Sequence, residues 1–377
     1  MPWRKPLIAL GLPLAVLSCS PAEPSAAPAQ KANTTANSDA APSSVSTVPT
    51  KAKIKVFRDW TAVCDNGLTC VAYGKDEQAM GFVYLRLQAG ASARPGLEVG
   101  GLANEPQASP LEARLDGQKL SGYTPPAQAD ENAILSFPTA SPELLKSLSQ
   151  GRRLTLGSGD QSLNFSLSGL AAAMLWIDEV QGRLDTPTAL IRRGTQPASR
   201  VPPAPPLPRV TAAPKVDQAN LPTTTLPAAI ARMPEIMACA DVAGSAMRFR
   251  VNLSHEVYRL NATTLLWSIP CGAGAYNYAS VYFTSRPDGT QAEQLNLQTT
   301  TGRENMLINS DYDPDSRILT SDYNGRGVGD CGQNLTWVWT NEGFVLSEEQ
   351  EMSDCTGLPA DLWPYLWRTS GWSTSPH

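Results

Sequence analysis

The chain is 377 residues long and carries 35 acidic against 30 basic side chains, for a formal net charge of −5 with only 17% charged residues. No block of like charge stands out, which excludes the basic stripe of a nucleic-acid binder. The mild acidic balance serves solubility and carries no information about fold.

At the N-terminus Arg4 and Lys5 precede the apolar run Leu7–Leu17. A membrane-spanning helix needs about 20 apolar residues. A shorter run behind two cations therefore reads as a secretory signal peptide. It ends Val16-Leu17-Ser18-Cys19-Ser20, which resembles a bacterial lipobox, whose cysteine takes a diacylglycerol before cleavage. Leu17 is larger than the residue usual there, and the alternative is an ordinary signal peptide cut near Ala22 or Ala27. The expectation is a lipoprotein-type signal over 1–19 with Cys19 acylated. Ser20 after it matches sorting to the outer membrane of a Gram-negative bacterium, leaving the domains periplasmic or surface-facing. The partner so implied is a membrane, reached through the lipid.

Residues 20–51 are nearly all Ala, Pro, Ser, Thr and Asn, a composition that cannot offset its backbone entropy and predicts a disordered tether. The segment 196–226, with Val201-Pro-Pro-Ala-Pro-Pro-Leu-Pro, reads as a polyproline-type linker. Two domains of ordinary size, 52–195 and 227–377, remain.

The first opens with strand-like residues from Ile54 to Trp60 and on to Cys64, a turn at Asp65-Asn66-Gly67, and a strand from Cys70 to Tyr73. Further short runs of period two follow: Phe82–Leu87, Leu111–Leu115, Ala133–Phe137, Arg153–Leu156 and Leu163–Leu167. Ser141 and Pro142 start a helix that Gly151 stops, and Ser168 is the expected cap of a second helix that Gly182 ends. The second domain starts with a short helix over Ala228–Ala240 and continues as hairpins turning at Arg286–Gly289, Asp313–Ser316 and Asn341–Gly343. The fold class is mainly β: a β-sandwich-like first domain with two short helices, then an antiparallel β-meander.

Seven cysteines leave one over in an oxidising compartment. With Cys19 assigned to lipid, proximity pairs Cys64 with Cys70, Cys239 with Cys271 and Cys331 with Cys355, out of fifteen possible connectivities. No Cys-x-x-Cys occurs and the only histidines are His255 and His377, so zinc is not expected. Asp311, Asp313, Asp315 and Asp322 have the spacing of a calcium loop. Serine stands where the loop needs glycine, aspartate where it needs glutamate, and the flanks read as strands, so a plain hairpin explains the same residues.

Several blocks resemble a known family. Phe57-Arg-Asp-Trp60 to Cys64, Cys70–Gly74, Leu170–Asp178, Gln181-Gly-Arg183, Pro270-Cys-Gly-Ala-Gly-Ala-Tyr-Asn277 and Gly325-Arg-Gly-Val-Gly-Asp-Cys-Gly332 resemble the bacterial family catalogued as domain of unknown function 1176. The opening and the helix after Gly169 are also similar to the invasion-associated locus B family of exported β-sandwich proteins. Neither resemblance implies a catalytic mechanism, and fold analogy does not transfer function.

Catalytic sets are weak. His255 has no Gly-x-Ser-x-Gly partner, and Asp178 with Arg183 reads as an ion pair or cap. The glycine-rich 325–332 block lacks the lysine-serine pair of a phosphate loop. No cofactor is expected. A possible ligand surface comprises Trp337, Trp339 and Arg326; the plainer reading places the tryptophans in the core. The leading functional reading is an exported, non-catalytic binding or structural module of the envelope whose partner is an envelope protein or glycan. The alternatives are a cell-wall glycan binder or an inhibitor of a cell-wall hydrolase, and a hydrolase with spatially assembled carboxylates.

Overall fold

The computed structural model describes residues 48–101, 112–124, 134–157, 162–221, 224–237, 239 and 254–374. The signal segment, Cys19 and most of the expected tether lie outside them. The first half holds β1 (Lys53–Phe57), β2 (Trp60–Cys64), β3 (Cys70–Lys75), β4 (Gly81–Leu87), β5 (Gly96–Gly101), β6 (Ala113–Leu115), β7 (Gln118–Lys119) and β8 (Leu135–Phe137). Then come α1 (Pro142–Gln150), β9 (Arg153–Leu156), β10 (Leu163–Ser166) and α2 (Leu170–Val180). An antiparallel six-stranded sheet runs β1-β2-β3-β4-β5-β8 and faces a second sheet ordered β10-β9-β6-β7. Trp60, Val83, Leu85, Val99, Leu154 and Phe165 pack between them with Ala173, Met174 and Ile177 of α2. This is the expected sandwich-like layer structure with two helices.

Local chemistry explains the ends of these elements. Ser141 caps α1 by accepting from Leu144 N at 3.1 Å, and Pro142 stands where a missing N–H does no harm. At α2 the cap is Gly169, not the expected Ser168. Its φ is +108°, and a Cβ there would lie 1.8 Å from the Phe57 carbonyl oxygen, so only glycine fits so near β1. The run Ile54–Trp60 is also not one strand: Arg58 takes φ +56° and reverses the chain between β1 and β2.

The second half holds β11 (Val210–Ala212), α3 (Ala228–Ala231), β12 (Glu256–Asn261), β13 (Thr264–Ala273), β14 (Tyr278–Ser285), β15 (Glu293–Gln294), β16 (Leu297–Gln298) and β17 (Arg303–Glu304). It continues with β18 (Leu307–Ile308), β19 (Asp311–Asp313), β20 (Ile318–Asn324), β21 (Gly332–Thr340), β22 (Gly343–Met352), β23 (Tyr365–Arg368) and β24 (Trp372–Thr374). The meander forms two sheets, β12-β13-β14-β15 and β19-β20-β21-β22-β23. Leu260, Leu266 and Tyr282 of the first pack on Tyr312, Leu319, Leu335, Trp337 and Leu346 of the second. The helix expected over Ala228–Ala240 is broken: α3 ends at Ala231 and helix begins afresh over 234–237, because Pro234 cannot continue a helix but can start one.

The three disulfides join Cys64 to Cys70, Cys239 to Cys271 and Cys331 to Cys355, the pairs that sequence proximity selects. Residues 45–377 form one compact unit. The outer face of the six-stranded sheet, through Val63, Val71, Tyr73, Phe82 and Tyr84, packs on Cys331, Met352, Leu358, Trp363 and Leu366. The proline-rich stretch is laid on this body: Val201, Val210 and Ala212 are buried, and β11 pairs in parallel with β24.

Candidate functional site

Two of the distinctive blocks, 270–277 and 325–332, meet at one end of the second half. Asn277 and Asn324 bridge each other, Nδ2 donating to the Asn324 carbonyl at 2.8 Å and Oδ1 accepting from Asn324 N at 3.1 Å. Asn309 completes the tie. Its Nδ2 donates to the carbonyls of Tyr276 and Asp322 and to Asn277 Oδ1, while its Oδ1 accepts from Tyr278 N. Asn309 adopts φ +44°, a conformation asparagine tolerates better than most side chains. Gly325 donates its N–H to the Cys331 carbonyl at 2.7 Å, and a Cβ there would stand 2.9 Å from Cys331 Sγ. The amides and the disulfide thus hold three loops in fixed geometry. These loops and the end of β20 leave large apolar groups in solvent: Tyr276 is 42% exposed, Tyr323 of β20 46% and Val328 57%. Tyr276 lines up with the loop, 3.5 Å from a Cβ built on Gly327. Exposed tyrosines on a pre-ordered backbone are common anchors of a recognition surface, because they offer contact area at little entropic loss.

Arg326 does not project as a free anion contact. Its Nε and Nη2 grip the two oxygens of Asp330, and Nη2 also donates to the Ala79 carbonyl across the seam at 2.6 Å. Asp330 accepts in addition from Gly357 N. Burial opposes its charge, yet Arg326 and the Gly357 N–H hold the carboxyl below its ordinary range. Trp337 is fully buried and donates to the Gln298 carbonyl at 2.8 Å. Trp339 is half-buried with its ring 5.0 Å from that of Phe344. The tryptophans are core, and the exposed aromatics are the tyrosines.

The four candidate calcium aspartates do not share a centre. Asp313 is occupied by its own hairpin, accepting from Asp315 N and from Ser316 N and Oγ. Asp315 faces Lys215 at 3.4 Å. Asp330, Cys331 and Cys355 are the one close grouping of metal-type donors among the described residues, and both sulfurs are bonded to each other.

Glu98 and Asp361 feel each other's charge. The burial of Glu98 and the charge of Asp361 raise its carboxyl above the usual range, against the pull of Arg86. The adjoining crevice, lined by Tyr84, Arg86, Asp361, Tyr365 and Arg368, encloses ≈ 30 Å³. That is room for about two water molecules and none for a sugar ring.

A profile of proteins of unknown function, DUF1176, matches residues 54–370. The chain belongs to this family. It is 30% identical over 332 residues to the uncharacterized protein YpfG of Escherichia coli (strain K12), covering 84% of this chain and 92% of that protein. Among solved structures it is similar to invasion associated protein b from Bartonella henselae, with a TM-score of 0.28 and 13% identity, over 34% of this chain and 99% of that one. The matched residues 54–370 include both Tyr276 and Tyr323. Sequence inspection found the family blocks but not their function: Tyr276 lies among Gly and Ala residues that leave it unshielded, and this was the one available signal.

Proposed function

We propose that this family member is an exported envelope lipoprotein, anchored through Cys19, that binds cell-wall glycan on the Tyr276–Tyr323 surface without catalysing a reaction. The observation that carries this reading is that the 270–277 block meets the end of β20, just before the 325–332 block, leaving Tyr276 and Tyr323 exposed and held by the Asn277–Asn309–Asn324 ties. Flat exposed rings suit pyranose rings, which offer C–H groups on their faces. Arg326 of the 325–332 block is paired with Asp330 and not presented to an anion, which favours a neutral chain. Three disulfides and the lipobox-like Val16–Cys19 segment support an oxidising, membrane-proximal setting.

The test is titration of the full chain with cell-wall glycan oligomers by calorimetry. Tyr276→Ala with Tyr323→Ala should weaken binding by about 30-fold or more, given losses of roughly 1–2 kcal/mol per anchoring tyrosine. Equal affinity of the double variant, or no saturable binding by the wild type, would refute it. Intact mass of the membrane-extracted protein checks the anchor, since an unmodified Cys19 is incompatible with it.

A further inference from the structure

Buried ionic groups in the first half have no catalytic role in this reading and call for their own explanation. Arg183 and Asp178 are fully buried, and among the described residues no carboxylate lies within ion-pair distance of Arg183. Arg183 instead donates through Nε to Gln181 Oε1 at 2.6 Å and through Nη2 to the carbonyls of Gln88 and Gly90 at 2.9 and 2.6 Å. Asp178 accepts from Leu190 N at 2.7 Å, Ile191 N at 3.0 Å and Arg192 N at 3.4 Å. Gln181 secures the other side by donating to the carbonyls of Leu68 and Leu87. Desolvating such ions costs several kcal/mol each. What the network achieves is the rigid placement of two loops, 88–90 and 190–192, at the C-terminal end of α2.

Those loops run on into the walls of a groove of ≈ 360 Å³, within the size range of small-ligand sites. Leu145 and Leu190 are its buried apolar floor, and Pro142 and Pro187 stand at its sides. Its two charged lining residues, Arg94 and Arg193, are both exposed and both cationic. Among the described residues, Arg193 gives one donor to the Pro187 carbonyl, and Arg94 reaches the carbonyls of Ser92 and Ala93 at 3.4 and 3.5 Å. Neither forms a salt bridge among the described residues, whereas neighbouring Arg192 is paired with Asp185. Each guanidinium therefore keeps N–H groups for an outside acceptor.

We propose that this groove binds an amphipathic anion, its carboxylate or phosphate head held by Arg94 and Arg193 and its apolar body laid on Leu145 and Leu190. The site is separate from the tyrosine surface. Calorimetry on the full chain with octanoate, octyl phosphate and 1-octanol tests it. Saturable binding of either anion, at least tenfold tighter than octanol and weakened by added salt, is the expected result, and the tighter anion identifies the head. The exposed-residue variant Arg94→Gln/Arg193→Gln should lose tenfold or more for the anions, keep its octanol response and melt like wild type. Absence of saturable anion binding, or a double variant that binds both anions like wild type, overturns the proposal.

Discussion

Replacing Asp330 by asparagine isolates the tie that links the glycine-rich block to both halves of the molecule. The Asp330 side chain is 2% exposed and Arg326 32%, and the carboxylate receives both Arg326 nitrogens and Gly357 N. Removing one partner of a buried pair costs about 3–5 kcal/mol. The partial exposure of Arg326 and the oxygen that asparagine retains reduce this to about 2–3 kcal/mol. The compact unit, residues 45–377, has an unfolding entropy of about 0.7 kcal/mol/K at the melting point, so Tm should fall by about 3–4 °C at pH 7. The sign with pH is fixed by linkage. The folded carboxyl sits below its ordinary range, so its stabilisation is complete above the unfolded value near 4 and disappears as pH falls through the folded value. Calorimetric melts of wild type and Asp330→Asn from pH 7 downward should therefore converge at the acid end. A Tm difference below about 1 °C at pH 7, or one that persists undiminished in acid, would refute the reasoning.

Two further perturbations probe the frame. Gly169→Ala places a Cβ 1.8 Å from the Phe57 carbonyl at φ +108°, so β1 or α2 must shift; a loss of more than about 3 kcal/mol in urea unfolding is expected, and an unchanged midpoint would contradict the packing. Cys331→Ala with Cys355→Ala removes a bond spanning 24 residues, for which loop-closure entropy gives about 3–4 kcal/mol. Urea titration reads that loss, and mass after alkylation of the wild type should show the thiols blocked.

How much was legible in the sequence follows the range of the interaction that decides each feature. Local chemistry sufficed for Ser141 and Gly151 at the ends of α1, for the hairpins at Arg286–Gly289 and Asn341–Gly343, and for the disulfides joining near neighbours. Turn residues, caps and period two act within a few residues, and the mainly β character was visible for that reason. The glycine-rich strand β5, Gly96–Gly101, escaped notice because its pairing with β4 supplies what its composition withholds. Gly169 displaced Ser168 as the cap for a reason placed 112 residues earlier in the chain, the carbonyl of Phe57. Trp337 and Trp339 could be read from the sequence as ligand surface or as core, and only the packing decided for the core. By itself the sequence determined the mainly β character, the ends of α1 and several hairpin turns, and it favoured the disulfide pairs that proximity selects. Tertiary structure alone decided which aromatics remain in solvent, that Arg326 is tied to Asp330 and Ala79, and that Arg94 and Arg193 share a groove, because burial and charge pairing depend on neighbours that folding brings from distant parts of the chain.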